Sequence, residues 1–186
     1  MARDATTPAE CYFYYPHLVC VVGVRDDARG SANFAPVTWA TPLSSDPPLY
    51  GVCISPRTHT HRLLLANGEF TVNFLPRAEQ PLVARLGALS GLEVDKVKEL
   101  SLALEPGRAI ATPGLAASYV FAECLLVERH HLGDQTLFVG AVQHVQARPG
   151  AFDDHGVLRL EAAAPLLYLG GNRWASAVAA PADGEK

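Results

Sequence analysis

The chain has 186 residues, of which 49% are hydrophobic and 18% are charged, and its formal net charge at pH 7 is −4. This composition supports one domain with a substantial core, and the slight negative charge, without a run of Lys or Arg, argues against nucleic-acid or anionic-membrane partners. No apolar run reaches the roughly 18 residues that span a bilayer, and the first residues lack a signal-peptide pattern. We therefore expect a soluble cytoplasmic protein.

We predict a single domain over residues 10–178, with flexible tails at 1–9 and 179–186, which are small and polar. None of the four cysteines belongs to a CxxC pair, and most lie in apolar, strand-like runs. We expect free, buried thiols rather than a disulfide or metal framework. The four are Cys11, Cys20, Cys53 and Cys124.

The first third of the chain predicts strands separated by turns. Apolar, β-branched or alternating residues predict strands over 18–24, 33–41 and 49–55. A turn with two Asp and a Gly over 25–31 joins the first two strands, and paired prolines favour a loop over 43–48. Because Pro36 has no N–H to donate, the second strand is not expected in an ordinary central position of a sheet.

Short helices follow. Thr58 is a suitable N-cap for a helix over 58–66, and Asn67-Gly68 provides its C-terminal stop. A strand is predicted over 69–75. Apolar residues at helical spacing predict a helix over 81–89, with Pro81 near its first turn, and one or two helical turns over 93–100.

The second half returns to strands. Alternating or continuous apolar residues predict strands over 119–129, 136–147 and 166–169, with turns at 133–134 and 153–156. Long amphipathic crossover helices do not recur, so a parallel βαβ arrangement fits poorly. Many strands and few short helices predict a mainly β protein, a barrel with helical insertions.

The segment 55–62, Ser-Pro-Arg-Thr-His-Thr-His-Arg, carries the most chemical information. It leaves a strand and enters a helix, whose first N–H groups lack intrahelical partners and form an anion site. Arg57 can add a bidentate contact to a phosphate. The same residues also describe a well-capped helix with solvated Arg and His, and both interpretations stay open on the residues alone.

A metal site is not predicted. His59 and His61 lie two residues apart, which places their side chains on diverging faces of a helix. No HExxH, G-x-S-x-G, P-loop or GxGxxG motif is present, so neither a side-chain nucleophile nor an ordinary Rossmann nicotinamide site is expected. We predict no catalytic side chain.

Several fragments, taken in order, resemble the flavin-reductase-like, FMN-binding split-barrel family, which includes flavoredoxins and the reductase partners of two-component monooxygenases. The likeness runs from about residue 16 to 174. The fragments are Asn33-Phe34-Ala35-Pro36-Val37-Thr38-Trp39, Ser45-Asp46-Pro47-Pro48-Leu49, Ser55-x-Arg57-x-x-Thr60, Gly68-Glu69-Phe70-x-Val72-Asn73, Leu115-x-x-Ser118 through Glu123-Cys124, Leu137-Phe138-Val139-Gly140 and Pro165-Leu166-Leu167-Tyr168-Leu169-Gly170.

The resemblance implies a six-stranded Greek-key split β-barrel that forms a homodimer, with FMN near the interface. It implies NADH or NADPH as electron donor, and an oxygenase or another acceptor as a possible partner. The strand that begins at Asn33 would run along the flavin ring, and the start of the helix near residue 58 would hold the phosphate. The implied FMN contacts are Asn33, Ala35, Pro36, Val37, Thr38, Ser55, Arg57, Thr58, Thr60, His61, Arg62, Asn73 and Tyr168, with Trp174 as a further candidate to cover the ring.

Three alternatives remain. The first is a flavin carrier or sensor that binds FMN but turns over NAD(P)H poorly. The second is a split barrel for another ligand, such as pyridoxine phosphate or haem. The third is a dimeric β-barrel interaction module without a small ligand.

Overall fold

The computed structural model describes residues 12–180, so Cys11 and nearly all of the two predicted tails lie outside the described residues. The strands are β1 His17–Leu18, β2 Cys20–Asp26, β3 Ser31–Val37, β4 Ala40–Ser45, β5 Pro48–Ile54, β6 Glu69–Phe74, β7 Leu104–Glu105, β8 Gly114–Leu115, β9 Val120–Leu132, β10 Gln135–Ala147, β11 Leu166–Gly170 and β12 Arg173–Ser176. The helices are α1 His59–Asn67, α2 Gln80–Ala88 and α3 Lys96–Glu99. None of the described helices is both long and apolar enough to cross a membrane.

A seven-stranded sheet forms the body of the protein, in the order β3-β2-β6-β9-β10-β5-β4. Every pair in it is antiparallel. The predicted mainly β class is confirmed, and the main sheet has one strand more than the predicted six. A second sheet, β1-β11-β12, joins the start of the domain to its C-terminal hairpin.

The helix and the edge position predicted in the first half are confirmed. Helix α1 starts after Thr58, and it ends at Gly68, whose left-handed φ of 66° suits a residue without a Cβ. Strand β3, which contains Pro36, is an edge strand of the main sheet. The edge position explains how a residue without an N–H is accommodated in the sheet.

The loop predicted over 43–48 is confirmed only at Asp46 and Pro47, because β4 extends through Ser45, β5 begins at Pro48, and the two strands pair. The register shifts between Pro42 and Ser44. The single proline of β4, Pro42, is tolerated because β4 lies at the other edge of the sheet, where one side of the strand has no ladder to complete. The hairpin strand β12, which contains Trp174, was not predicted as a strand.

Two apolar clusters lie on different sides of the main sheet. One lies among the strands and α1, and its largest buried members are Phe70, Phe138 and Leu64. The other packs Phe34 of β3 against Leu86 of α2, together with residues of β8 and β11. The second cluster fixes α2 and the C-terminal hairpin beside β3, and thereby builds the walls of the candidate site.

Candidate flavin site

The start of α1 is capped by its own sequence. The Thr58 side-chain oxygen accepts a hydrogen bond from the His61 N–H (3.2 Å) and donates to the Ser55 carbonyl (2.9 Å). The Thr58 N–H donates to the same carbonyl at 3.0 Å. These bonds hold the strand-to-helix turn in a fixed shape, with the positive end of the helix dipole beside Arg57.

Strand β3 is tied to α1 by a buried hydrogen bond. The Asn33 amide nitrogen donates to the Thr60 hydroxyl at 2.8 Å, and both side chains are only 3% exposed. The Asn33 amide oxygen is buried and has no hydrogen-bond partner among residues 12–180. Because buried polar atoms are nearly always satisfied, this oxygen can accept a hydrogen bond from a group outside the protein.

Three cavities meet at Pro36, which lines all of them. A cavity of about 280 Å³ runs between β3 and β5, and includes Thr38, Trp39 and Ser55. A second, of about 290 Å³, extends past Arg57 to Lys96. The largest, about 630 Å³, lies between α2 and the β11–β12 hairpin, with Tyr168 and Trp174 in its wall.

A buried cation, Lys96, lines the 290 Å³ cavity. The Lys96 ammonium donates to the Phe34 carbonyl (3.0 Å) and to the Leu86 carbonyl (2.7 Å), and the residue is 4% exposed. Burial lowers the pKa of Lys96 from its ordinary value of 10.5 to about 8. The cavity therefore contains a cation that can lose its proton in a moderately alkaline solution.

His59, the first residue of α1, also lines this cavity. Its Nε2 lies 2.9 Å from Oδ2 of Asp26, a nearly buried carboxylate. Because a carboxylate only accepts, Nε2 carries the hydrogen. His59 Nδ1 is buried and has no hydrogen-bond partner in the described chain. It is the second polar atom in this wall that the protein leaves unsatisfied.

Most of the residues predicted from the sequence are brought together around Pro36. They line one or more of the three cavities and come from β3, from the turn before α1, from α1 itself and from β11. These residues are Asn33, Ala35, Pro36, Val37, Thr38, Ser55, Arg57, Thr58, Thr60 and Tyr168.

Three predicted residues lie elsewhere. The His61 ring bonds through Nε2 to the Thr136 hydroxyl (3.0 Å), and Arg62 is exposed beyond the first turn of α1. Burial, followed by the charges of Arg129 and His131, lowers the pKa of His61. Neither His61 nor Arg62 lines a cavity around Pro36.

Asn73 is fully buried in β6 and lines none of these cavities. Its amide nitrogen donates to the Val21 carbonyl (2.9 Å) and the Thr71 hydroxyl (3.0 Å), and its oxygen accepts from the Leu115 N–H (2.8 Å). With these bonds made, Asn73 joins β6 to β2 and β8. This arrangement supports a structural role rather than the predicted flavin contact.

Other cavity residues were not predicted as contacts. Lys96 gave no sequence signal, because it lies in a short helical segment with several charged residues and no motif. Tyr15 ends an aromatic run, Tyr12-Phe13-Tyr14-Tyr15, that could have drawn attention as a site wall. Trp39 ends the sequence fragment that begins at Asn33, but it was not predicted as a flavin contact. Cys53, which was expected to be buried, is only partly buried and lines the 280 Å³ cavity.

A model of the flavin reductase like domain matches residues 12–175. Because the match covers most of the chain, the protein belongs to the flavin reductase-like family. The resemblance found in the sequence is therefore confirmed.

Individual relatives agree with this membership. An FMN-binding protein from Thermus thermophilus, solved with bound 1-cyclohex-2-enone, is 37% identical, with a TM-score of 0.84 over 97% of this chain and 99% of that one. A split-barrel domain protein from Shewanella frigidimarina is 19% identical, covers 96% of this chain and 93% of that one with a TM-score of 0.83, and supports the split-barrel fold.

A flavin reductase (NADH) from Kitasatospora aureofaciens is 32% identical over 130 residues. The match covers 69% of this chain and 60% of that protein. The chain thus spans about three fifths of the length of this curated relative.

Proposed function

We propose that this protein binds FMN along β3 and transfers electrons to it from NADH or NADPH. One observation carries the proposal: the capped start of α1, with Arg57, and the edge strand β3 line the same cavities around Pro36. The start of α1 with Arg57 suits a phosphate, and the edge strand β3 suits a flat ring. The family membership and the FMN-binding relative from Thermus thermophilus support the same cofactor.

The polar atoms of the 290 Å³ cavity fit an anionic, hydrogen-bonding ligand. Asn33 Oδ1 and His59 Nδ1 are buried without partners in the part of the chain that the structure describes. Arg57 and Lys96 supply positive charge in the same wall. FMN offers a phosphate for the cations and ribityl hydroxyls that can donate to a free carbonyl oxygen, so the donor and acceptor set matches the cofactor.

Each part of the site would have a separate role. Ser55 and Arg57 would hold the phosphate, Thr58 would fix the turn that presents them, and Asn33, Thr60 and Lys96 would line the region next to it. Pro36 and Thr38 would position the ring. When bound, FMN supplies the redox chemistry, by accepting a hydride from the nicotinamide cofactor. The protein contributes binding, orientation and exclusion of water, and no side chain serves as nucleophile or general base.

The most direct test is the visible absorption spectrum of the purified protein with added FMN, before and after NADH or NADPH. We expect a bound-flavin spectrum that bleaches with one of the two donors. A protein that ignores FMN would refute the proposal. Tight FMN binding with negligible NAD(P)H oxidation would instead identify a flavin carrier or sensor.

We also propose that the protein is a cytoplasmic homodimer with FMN near the interface and that it supplies electrons to an oxygenase or another acceptor. Large apolar side chains on β4 and on the β9–β10 hairpin support a dimer, because Leu43, Val127 and Leu132 are 44%, 52% and 54% exposed. Sedimentation equilibrium tests the dimer, and a monomer at micromolar concentration would refute it.

A further inference from the structure

An aromatic segment covers the end of β3. Tyr14 packs edge-on against Trp39, with ring centroids 5.8 Å apart, and Tyr15 packs in the same way against Tyr168, at 5.2 Å. Residue His17, in β1, pairs with Tyr168 of β11. The segment therefore joins two walls of the candidate site, the end of β3 and the C-terminal hairpin.

Two polar contacts from this segment converge on Thr38. The Tyr15 hydroxyl lies 3.1 Å from the Thr38 hydroxyl, and His17 Nδ1 lies 2.8 Å from the Thr38 carbonyl oxygen. Because a carbonyl oxygen only accepts, His17 Nδ1 carries the hydrogen. The segment around Tyr15 and His17 thus contacts both the hydroxyl oxygen and the carbonyl oxygen of Thr38.

The hydroxyl pair has a preferred direction. A phenol is a stronger acid than an aliphatic alcohol, so Tyr15 is the favoured donor and Thr38 the acceptor. The hydrogen of the Thr38 hydroxyl then remains free to donate to another atom. Thr38 lines both the 280 Å³ and the 630 Å³ cavity, so a ligand at the end of β3 can receive that hydrogen.

We propose that Tyr15 is a positioning residue for the flavin ring, and that it acts through Thr38. Tyr15 donates to the Thr38 hydroxyl and turns its hydrogen toward a ring acceptor, while His17 holds the backbone of Thr38 in place. The inference rests on the proposed FMN site and adds to it a residue outside the strand that faces the ring. Because linked hydrogen bonds polarise one another, the Thr38 hydroxyl is a stronger donor when it also accepts a hydrogen bond from Tyr15.

A double-mutant cycle tests this inference. FMN affinity and the visible spectrum of bound FMN are measured for the wild type, Y15F, T38V and the Y15F/T38V double variant. Y15F keeps the ring and removes only the hydroxyl. Tyr14→Phe is the matched control, because it removes a neighbouring phenol hydroxyl while the hydrogen bond to Thr38 belongs to Tyr15.

We expect Y15F to weaken FMN binding about threefold to tenfold, in keeping with one hydrogen bond, and to shift the flavin absorption band. The double variant should match T38V alone, since the Tyr15 hydroxyl has no effect without its partner. Y14F should match the wild type in both measurements.

Two results would overturn the inference. In the first, Y15F binds FMN with wild-type affinity and spectrum. In the second, the Y15F effect is equally large in the T38V background, which indicates a general packing role. A wild-type protein that binds no FMN would instead refute the proposed function, so the two failures are distinguishable.

Discussion

Two buried asparagines differ in their hydrogen bonding: one lies where the protein satisfies every polar atom of the side chain, and the other lies where it leaves an oxygen without a partner. Asn73 in β6 is 0% exposed, and Asn33 in β3 is 3% exposed. The Asn73 amide has protein partners on both its nitrogen and its oxygen, whereas the Asn33 oxygen has none among residues 12–180. Burial alone does not distinguish these two amides, and the difference between them lies in how completely their hydrogen bonds are satisfied.

The same contrast holds for buried charges. Glu123 in β9 accepts from the N–H groups of Arg108, Ala109 and Ile110, and from the Gln146 side chain. Burial would raise the pKa of Glu123, but these hydrogen bonds outweigh burial and lower it. By contrast, Lys96 is bonded to just two carbonyls among residues 12–180, and it lines a cavity.

The largest effect is expected from Asn73→Ala. The change leaves buried partners on β2 and β8 unpaired, so the free energy of unfolding should fall by about 3 kcal/mol. Chemical denaturation measures this loss, and FMN affinity of the folded variant should be unchanged. The structural role of Asn73 would be wrong if the stability of the variant were unchanged while its FMN affinity dropped more than about tenfold, which corresponds to one lost polar contact.

Arg57→Ala should weaken FMN binding by about 10- to 100-fold, because a charged hydrogen bond to phosphate contributes about 1.5–3 kcal/mol. The stability should change little, because Arg57 is exposed. Arg62→Ala is the matched control, since Arg62 is an exposed arginine five residues later, within α1, and lines none of the cavities. Equal losses in both variants would point to a diffuse charge effect instead of a defined phosphate contact.

The pH dependence of FMN affinity should identify Lys96. Since the pKa of Lys96 in the protein is about 8, the ammonium loses its charge above that pH, and FMN binding should weaken between pH 8 and 10. Lys96→Met should flatten this part of the profile. A fluorescence titration at each pH provides the affinity, and an unchanged profile in the variant would exclude Lys96 as the group responsible.

The stability of the FMN-free protein should move in the opposite direction. Below pH 8, Lys96 is charged in both folded and unfolded chains. Between pH 8 and its ordinary pKa of 10.5, only the unfolded chain retains the proton, so Lys96 increasingly favours the folded state as the pH rises. The difference in unfolding free energy between wild type and Lys96→Met, measured across this range, isolates the contribution.

The smallest effect is expected for the helix cap. Thr58→Ala removes the acceptor for the His61 N–H and should lower stability by about 1 kcal/mol. Thr58→Ser retains a hydroxyl and should restore most of the loss in thermal unfolding. Identical melting temperatures for the two variants would show that the cap bond does not stabilise α1.

Local signals explain why much of the fold was predictable. Thr58 and Gly68 bound α1 in the sequence as they do in the structure, and Pro36 indicated an edge strand before any topology was known. Residues 43–45 of β4 fell in the predicted loop because Pro47-Pro48 favour a loop locally, whereas the pairing of β4 with β5 depends on tertiary contacts. The extra strand in the main sheet follows from the same segment.

The site was predictable where one continuous segment builds it and unpredictable where distant segments meet. Residues of β3 and the turn before α1 carry the resemblance and line the cavities. Asn73 also carries the resemblance, but its hydrogen bonds connect strands far apart in sequence. The Lys96 ammonium bonds to backbone carbonyls of residues 34 and 86, which are far from it in sequence. Because every residue has a backbone carbonyl, no sequence pattern marks these contacts.

Pro36 has one more consequence, for association between chains. It lies on an edge strand, and a proline fits such a strand only where its backbone nitrogen points away from the neighbouring strand, β2. The open side of β3 therefore lacks a donor that an incoming peptide strand would need. The proline thus makes extension of the sheet by another polypeptide less favourable along this edge, which limits aggregation through β3.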